Sequence, residues 1–317
     1  MNFVWYLIAR IGGALVTCCV GAFIIFMVMQ FAPGDPAVAA LGENATAETI
    51  AIFRKDHGLD LPLHVQFFSW AGGVLTGDLG RSIAVGAGYP IWDLLGQRIP
   101  NTITIAVFAL ILAIVVGIAA GTVAALHQGK TIDTAATSGA VLGISMPDFW
   151  LSYVLVLIFA IWLKWLPAYG FVNPSESFLG TLTTGILPAA AIGAPMAGVF
   201  ARILRAALLE TKRRDYVTAA RSYGFSYNFI YVHYIFRNAL IPFVTVIGLQ
   251  ARYLVGGTVI IERIFGVSGL GTLMIDSALG RDYPVVQACT LTFLVVVLLV
   301  NLAVDIVCAL LDPRRTH

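Results

Sequence analysis

The chain has 317 residues, of which 59% are hydrophobic and only 11% charged, with a formal net charge of +2. A soluble domain carries about one-quarter charged residues, so this composition excludes an ordinary globular protein and points to a polytopic membrane protein. The near-neutral balance leaves no electrostatic footprint for nucleic acid.

The first uncharged run, Ile11 to Gly34, is longer than the apolar core of a signal peptide and ends in no small-residue cleavage site. It reads as a retained span over about 9–31. A helix needs about 20 apolar residues to cross some 30 Å of hydrocarbon. Further runs qualify at about 102–126, 136–163, 182–204, 239–261 and 284–308. The fourth of the six opens at Pro188 and contains Pro195. Backbone polar groups in lipid must be satisfied within their own segment, and none of these runs alternates like a barrel strand. The expected fold is therefore all-α: six transmembrane helices in a single membrane domain over 1–317. Glycines at Gly117 and Gly121, and at Gly139 and Gly143, have the spacing that lets membrane helices approach closely.

Residues 32–98 form the largest segment outside these runs. Asp35 before Pro36 reads as a helix N-cap with proline at the first helical position, and Thr46 caps a second short helix. The segment is expected to cover the mouth of the bundle. His57 and His64 are spaced to share a helix face, but solvated surface histidines explain them better than a metal pair. The cysteines, Cys18, Cys19, Cys289 and Cys308, lie in apolar runs without metal or redox spacing and read as packing residues. The Gly-rich stretch Ile264 to Pro284 is too polar to span. It is expected to be a loop or a shallow re-entrant helix.

Orientation follows from lysine and arginine. With the N-terminus inside, the inner segments hold Arg10, Lys130, Arg202, Arg205, Lys212, Arg213, Arg214, Arg221, Arg237, Arg314 and Arg315, against Lys164, Arg263 and Arg281 in short outer loops. Both termini are thus expected in the cytoplasm. The same choice makes 32–98 an extracytoplasmic insertion and 207–238 a cytoplasmic loop.

Ionisable groups at membrane depth are costly and mark a cavity or a partner. Asp148, Arg252 and Glu262 are such groups. Asp148 and Arg252 lie at comparable depth and read as a pair lining a polar path, with a purely structural ion pair, or Arg252 facing a second subunit, as alternatives. A protease-like dyad of Asp148 and Asp305 fails because the two differ in depth.

In 207–238 the sequence "ALLETKRRDYVTAARSYG" alternates apolar and charged residues at helical spacing and stops at Gly224, a candidate left-handed residue after a helix end. Ser226 then caps the restart. A short helix held between two membrane helices can dock as a rigid knob on another protein. The chain shows no obvious ATPase or hydrolase motif of its own. "AALHQGKT" lacks the first glycine of a phosphate-binding loop and follows a membrane run rather than a strand, and there is no GxSxG or HExxH.

The ordered pieces "APGDPA", "GLDLPLHVQFFSWAGGVLTGDLGRS", "ISMPDFWLSYVLVLIFAIWLKWLPAYG", "DYVTAARSYG" and "IERIFGVSGLGTLMIDSALGRDYPVVQA" run over nearly the whole length. The chain resembles the membrane permease subunit of binding-protein-dependent ABC importers, in the dipeptide/oligopeptide/nickel branch. The resemblance implies a transport subunit rather than an enzyme, working by alternating access. It places the docking of the ATPase on Asp215, Tyr216, Thr218, Ala219, Ala220, Arg221 and Gly224, with small Ala219 and Ala220 allowing close approach. Thr218 stands where the family usually has glutamate, and Pro242 stands later than the usual proline. The implied partners are a second homologous permease, two nucleotide-binding subunits that hold ATP and magnesium, an extracytoplasmic binding protein and the surrounding inner-membrane lipid. Peptides are the favoured cargo. A secondary transporter with Asp148 as proton relay is the competing reading, and it has no use for a docking helix in 207–238.

Overall fold

The computed structural model describes residues 3–31, 34–42, 45–86 and 88–311, with side chains described between Ile8 and Ile306. Cys308, Arg314 and Arg315 therefore lie outside the described side chains. Among the described residues there is no strand beyond one isolated bridge between Arg81 and Pro90. The all-α expectation holds.

The helices in chain order are α1 (Phe3–Gln30), α2 (Pro36–Leu41), α3 (Ala47–Asp56), α4 (Leu63–Thr76), α5 (Ile91–Leu126), α6 (Thr131–Ser145) and α7 (Asp148–Leu155). They continue as α8 (Phe178–Lys212), α9 (Asp215–Ser222), α10 (Tyr227–Ile230), α11 (Arg237–Phe265), α12 (Leu270–Leu279) and α13 (Tyr283–Leu311). Wider π-type turns extend α7 over Val156–Trp162 and join α10 to α11 over Tyr231–Phe236.

Five helical stretches are long and apolar enough to cross a membrane: Ile8–Gln30, Ile91–Leu126, Phe178–Lys212, Tyr227–Phe265 and Tyr283–Ile306. The sixth expected span, 136–163, is not one straight helix. α6 and the α7 segment meet at 111°. Pro147 is the cause: the residue before a proline is driven out of helical geometry, and Met146 is extended at φ −88°, ψ 129°. Pro188 has the opposite outcome. The fourth run does not open there, because α8 starts at Ser177, whose hydroxyl accepts from the Gly180 N–H, and continues through both prolines.

The chain packs as two compact units, one built on Ile103–Gly266 with the helical stretch from Val300, the other on Val4–Thr102 and Val267–Leu299. In the first unit α8 is the axis. Of its most apolar stretch 61% is buried, against 6–22% for the other four long helices. Small residues make this burial possible. A side chain at Gly121 would stand 2.7 Å from the Ala201 carbonyl, and Gly117 faces Phe200. α6 approaches through Gly143, 3.1 Å from the Ala194 carbonyl on the same measure, and against Gly198 of α8. Gly139 meets nothing and takes no part.

In the second unit Ile91, Leu95, Leu270, Leu273, Val285, Ala288 and Cys289 form the core. α12 is thus a packed ten-residue helix within Ile264–Pro284. Phe67 meets Phe23 and Phe26 edge-on, each at 5.4 Å between centroids, and so fastens α4 to α1. The expected caps are present. Asp35 accepts from the Ala37 N–H ahead of Pro36, and Thr46 with Thr49 forms a reciprocal capping box. His57 ends α3 while His64 lies in α4, so the two do not share a helix face.

Candidate functional site

Two places in the first unit gather the residues that the sequence singles out. The first is the connection between α8 and α11. α8 has 35 residues, roughly 50 Å at 1.5 Å per residue, well beyond some 30 Å of hydrocarbon. Beyond its last turn, Arg213 and Arg214 lead into α9. Gly224 follows α9 at φ +80°, the left-handed conformation that reverses the chain. The Ser226 hydroxyl accepts from the Phe229 N–H and restarts the helix. A two-turn helix is therefore clamped between two long ones.

The faces of α9 differ. Val217 and Ala220 are buried, at 1% and 5% exposure. Asp215, Tyr216, Thr218, Ala219 and Arg221 are exposed, as is Gly224. Ala219 and Ala220 therefore do not act together: Ala220 packs inward and Ala219 faces outward. Exposed Tyr223, Phe225, Tyr227 and Phe229 continue the open surface, with Phe225 and Phe229 stacked at 5.2 Å.

Behind this connection lies an ion pair that sequence reasoning missed. Arg205 of α8 donates from Nε and Nη2 to the two oxygens of Asp133 in α6, both at 2.7 Å. Asp133 also accepts from the Gly129 N–H at 2.9 Å. One carboxylate therefore ties the α5–α6 turn to α8. The Arg205 charge was legible, but its partner stands far away in sequence.

The second place is the α6–α7 bend. Asp148 is the first residue of α7, and both its oxygens accept from the Tyr253 hydroxyl of α11, at 2.7 and 2.6 Å. The expected pairing of Asp148 with Arg252 is not made. Arg252 is exposed, and among the described residues it forms no ion pair. The reason is azimuth: neighbours on a helix point about 100° apart, and Tyr253, not Arg252, faces α7. Glu262, further along α11, is fully buried. Asp148 and Tyr253 thus form a polar contact at the one bent span, with Gly257 opening the space beside it. Among the described residues there is no group of three or more metal-ligating side chains.

Residues 117–317 match the family described as the binding-protein-dependent transport system inner membrane component, and residues 3–106 match its N-terminal companion. The chain belongs to this family. A probable peptide ABC transporter permease of Sinorhizobium fredii is 35% identical over 98% of both chains. A putative peptide transport system permease of Brucella abortus is 38% identical over 97% of this chain and 98% of its own. A glutathione transport system permease of Salmonella choleraesuis is 37% identical over 97% of each. Among solved structures, the MetNI methionine ABC transporter in inward-facing conformations is similar at TM-score 0.56 and 18% identity, over 69% of this chain and 96% of that one. An amino acid ABC transporter gives 0.51 and 16%, over 68% and 93%. These two establish a shared fold.

Membership makes this permease a multi-pass inner membrane transport component, as the resemblance of its sequence led one to expect. The α8–α9–Gly224 connection belongs to the 117–317 segment that carries the main family match.

Proposed function

We propose that this permease forms one half of the translocation path of an ABC importer for di- and oligopeptides. Energy comes in trans, from two ATPase subunits that bind ATP and magnesium. The observation that carries the reading is α9: a short helix with an exposed face, held between two long helices, in a chain whose relatives are named as peptide permeases. ATP-driven closure of the ATPases pushes on Tyr216, Thr218, Ala219 and Arg221. A helix clamped by Gly224 passes that displacement to α8 and α11 as a rigid body.

In this reading both termini and 207–238 are cytoplasmic, as the lysine and arginine bias favours. Segment 32–98 is extracytoplasmic and meets the binding protein. A second homologous permease supplies the other half of the path. Asp148 with Tyr253 lines the path on this side, and Glu262, buried further along α11, does not. Arg252, exposed on another face of α11, faces that second permease.

The deciding experiment is affinity capture of the tagged chain from solubilised native membranes, with mass spectrometry of what accompanies it. Two ATPase subunits and a second multi-span permease are expected. Capture of the chain alone or as a homo-oligomer, with no ATPase, would overturn the proposal and favour a transporter energised through Asp148.

A further inference from the structure

The second unit holds an open cavity of about 700 Å³, lined largely by segment 32–98 and by none of the side chains named for the docking helix or the path. Its wall is built from the end of α1, from α3 and α4, from the loop at 78–83 and from the start of α13. The volume falls within the roughly 300–1,000 Å³ typical of sites for small organic molecules.

Gln287 is the side chain that asks for a ligand. It lines the cavity and is 7% exposed. Its carboxamide makes no hydrogen bond to any described residue. An amide offers two donors and an acceptor, and those of Gln287 open onto the cavity rather than into packed protein. Here the partners have to come from whatever fills the cavity.

The rest of the wall says what that is. Its formal charges balance, Arg54 and Arg81 against Asp35 and Asp78. Of the two carboxylates, Asp35 is bonded on both oxygens and Asp78 on one. Asp35 accepts from the Ala37 N–H at 2.9 Å and from Arg54 at 2.5 Å, and Asp78 accepts from the Gly80 N–H at 2.9 Å. The guanidinium groups are less committed. Arg54 spends one nitrogen on Asp35, and Arg81 spends one on the Gly88 carbonyl. The spare capacity thus lies in both guanidinium groups, which a carboxylate satisfies in its fork geometry, and in the second Asp78 oxygen, which can accept from an ammonium. The aromatic walls Phe26, Phe53 and Trp70 accept apolar groups, or the face-on approach of an ammonium. A neutral wall with donors on one side and aromatic faces on the other selects a molecule that is itself neutral overall and carries both charges.

We infer that this cavity binds a small zwitterion with a free carboxylate, of the short-peptide class, at a site whose residues are distinct from Asp148 and Tyr253. The peptide class rests on the function proposed above; the cavity and its unpaired amide do not.

The test uses the full chain in its permease–ATPase complex, without binding protein, in nanodiscs of phosphatidylglycerol. Labelled trialanine is the probe, read by equilibrium dialysis. Trialanine is expected to bind, its C-terminal amide at least tenfold more weakly. Gln287→Leu and the half-exposed Arg54→Gln should each weaken trialanine about tenfold, and Glu176→Gln, at an exposed site outside both the cavity and the path, should leave it unchanged. Arg54→Gln keeps the test open where Gln287→Leu disturbs folding. Unchanged binding in both variants, or binding equally lost in Glu176→Gln, overturns the inference. So does displacement of trialanine by phosphatidylethanolamine in the nanodisc, which marks a lipid-headgroup site. Peptide uptake into proteoliposomes separates the two readings. Uptake with binding indifferent to Gln287 and Arg54 sinks only the cavity. Absence of uptake with Gln287-dependent binding sinks only the import reading.

Discussion

Ala219 and Ala220 are neighbours of one residue type on one two-turn helix, yet they should respond oppositely to the same substitution. Glutamate replaces alanine in a helix at little intrinsic cost, so burial alone separates the two sites. Ala219 is exposed and Ala220 is 5% exposed, packed inward beside Val217. At Ala219 the change should stay within about 0.5 kcal/mol of wild-type stability, as for surface sites generally. At Ala220 it forces an unpaired carboxylate into a packed seam, which costs about 3–5 kcal/mol. At roughly 2–4 °C per kcal/mol for a unit of this size, the melting temperature should fall by at least about 6 °C. The assay is thermal unfolding of the purified chain in detergent, run beside co-purification of the ATPase subunits. Ala219→Glu should melt like wild type and lose its ATPase; Ala220→Glu should melt early. Equal melting of the two variants would refute the assignment of faces on α9. An Ala219→Glu variant that keeps both ATPase and uptake would refute the docking role of the exposed face.

Three other buried or bent contacts make sharp predictions. Asp133→Asn leaves Arg205 without its two-point partner and should cost about 1.5–3 kcal/mol in thermal unfolding, with faster hydrogen exchange at the Gly129 amide. Arg205→Lys, which keeps the charge and loses the fork, should recover only part of that. Tyr253→Phe removes the donor to Asp148 and should cost about 1.5–3 kcal/mol, while Arg252→Gln should stay within about 0.5 kcal/mol; equal costs would restore the Asp148–Arg252 pairing. Asp282 is fully buried and accepts from the Ser82 hydroxyl and the N–H groups of Ile83, Ala84 and Val85. Asp282→Ala strands those donors together and should cost about 3 kcal/mol or more, read as loss of exchange protection at residues 83–85.

What the sequence discloses about this chain sorts by distance along it. The caps at Asp35, Thr46 and Ser226, and the left-handed turn at Gly224, each depend on atoms within three or four residues, and all stand in the structure as expected. The polar contacts that hold elements together span far more chain: 72 residues for Arg205 to Asp133, 105 for Tyr253 to Asp148, 200 for Ser82 to Asp282. Hydropathy gives a residue's depth in a span but not its direction around the helix. Depth selected Asp148 and Arg252 as partners, and azimuth gave the contact to Tyr253 instead. Asp282 stands at the end of the Gly-rich stretch, and nothing local marks it as the centre of a backbone nest.

Proline shows the same division within a single residue type. Local sterics disfavour a helical residue before Pro147, Pro188 and Pro195 alike. Only Met146 leaves the helix, and only there does a span bend. At Pro188 and Pro195 the helix persists because α8 is the buried axis of its unit, with Leu187, Ala189, Ala191, Met196 and Ala197 all packed against neighbours. A break there would tear apart the glycine contacts of α5 and α6 with α8, whereas the break at Pro147 falls after Gly143 and Ile144 have made theirs, between the exposed Ser145 and Pro147. The local preference is equal at the three sites, and tertiary packing decides which of them yields. The bend is therefore placed where the chain can spare its packing, and it is there, at the first residue of α7, that Asp148 turns its carboxylate to Tyr253. On the proposed reading, a path residue carried on a broken span can move with that break without unpacking α8. α9, clamped directly to α8, has no such freedom, and on the same reading it would deliver its displacement whole.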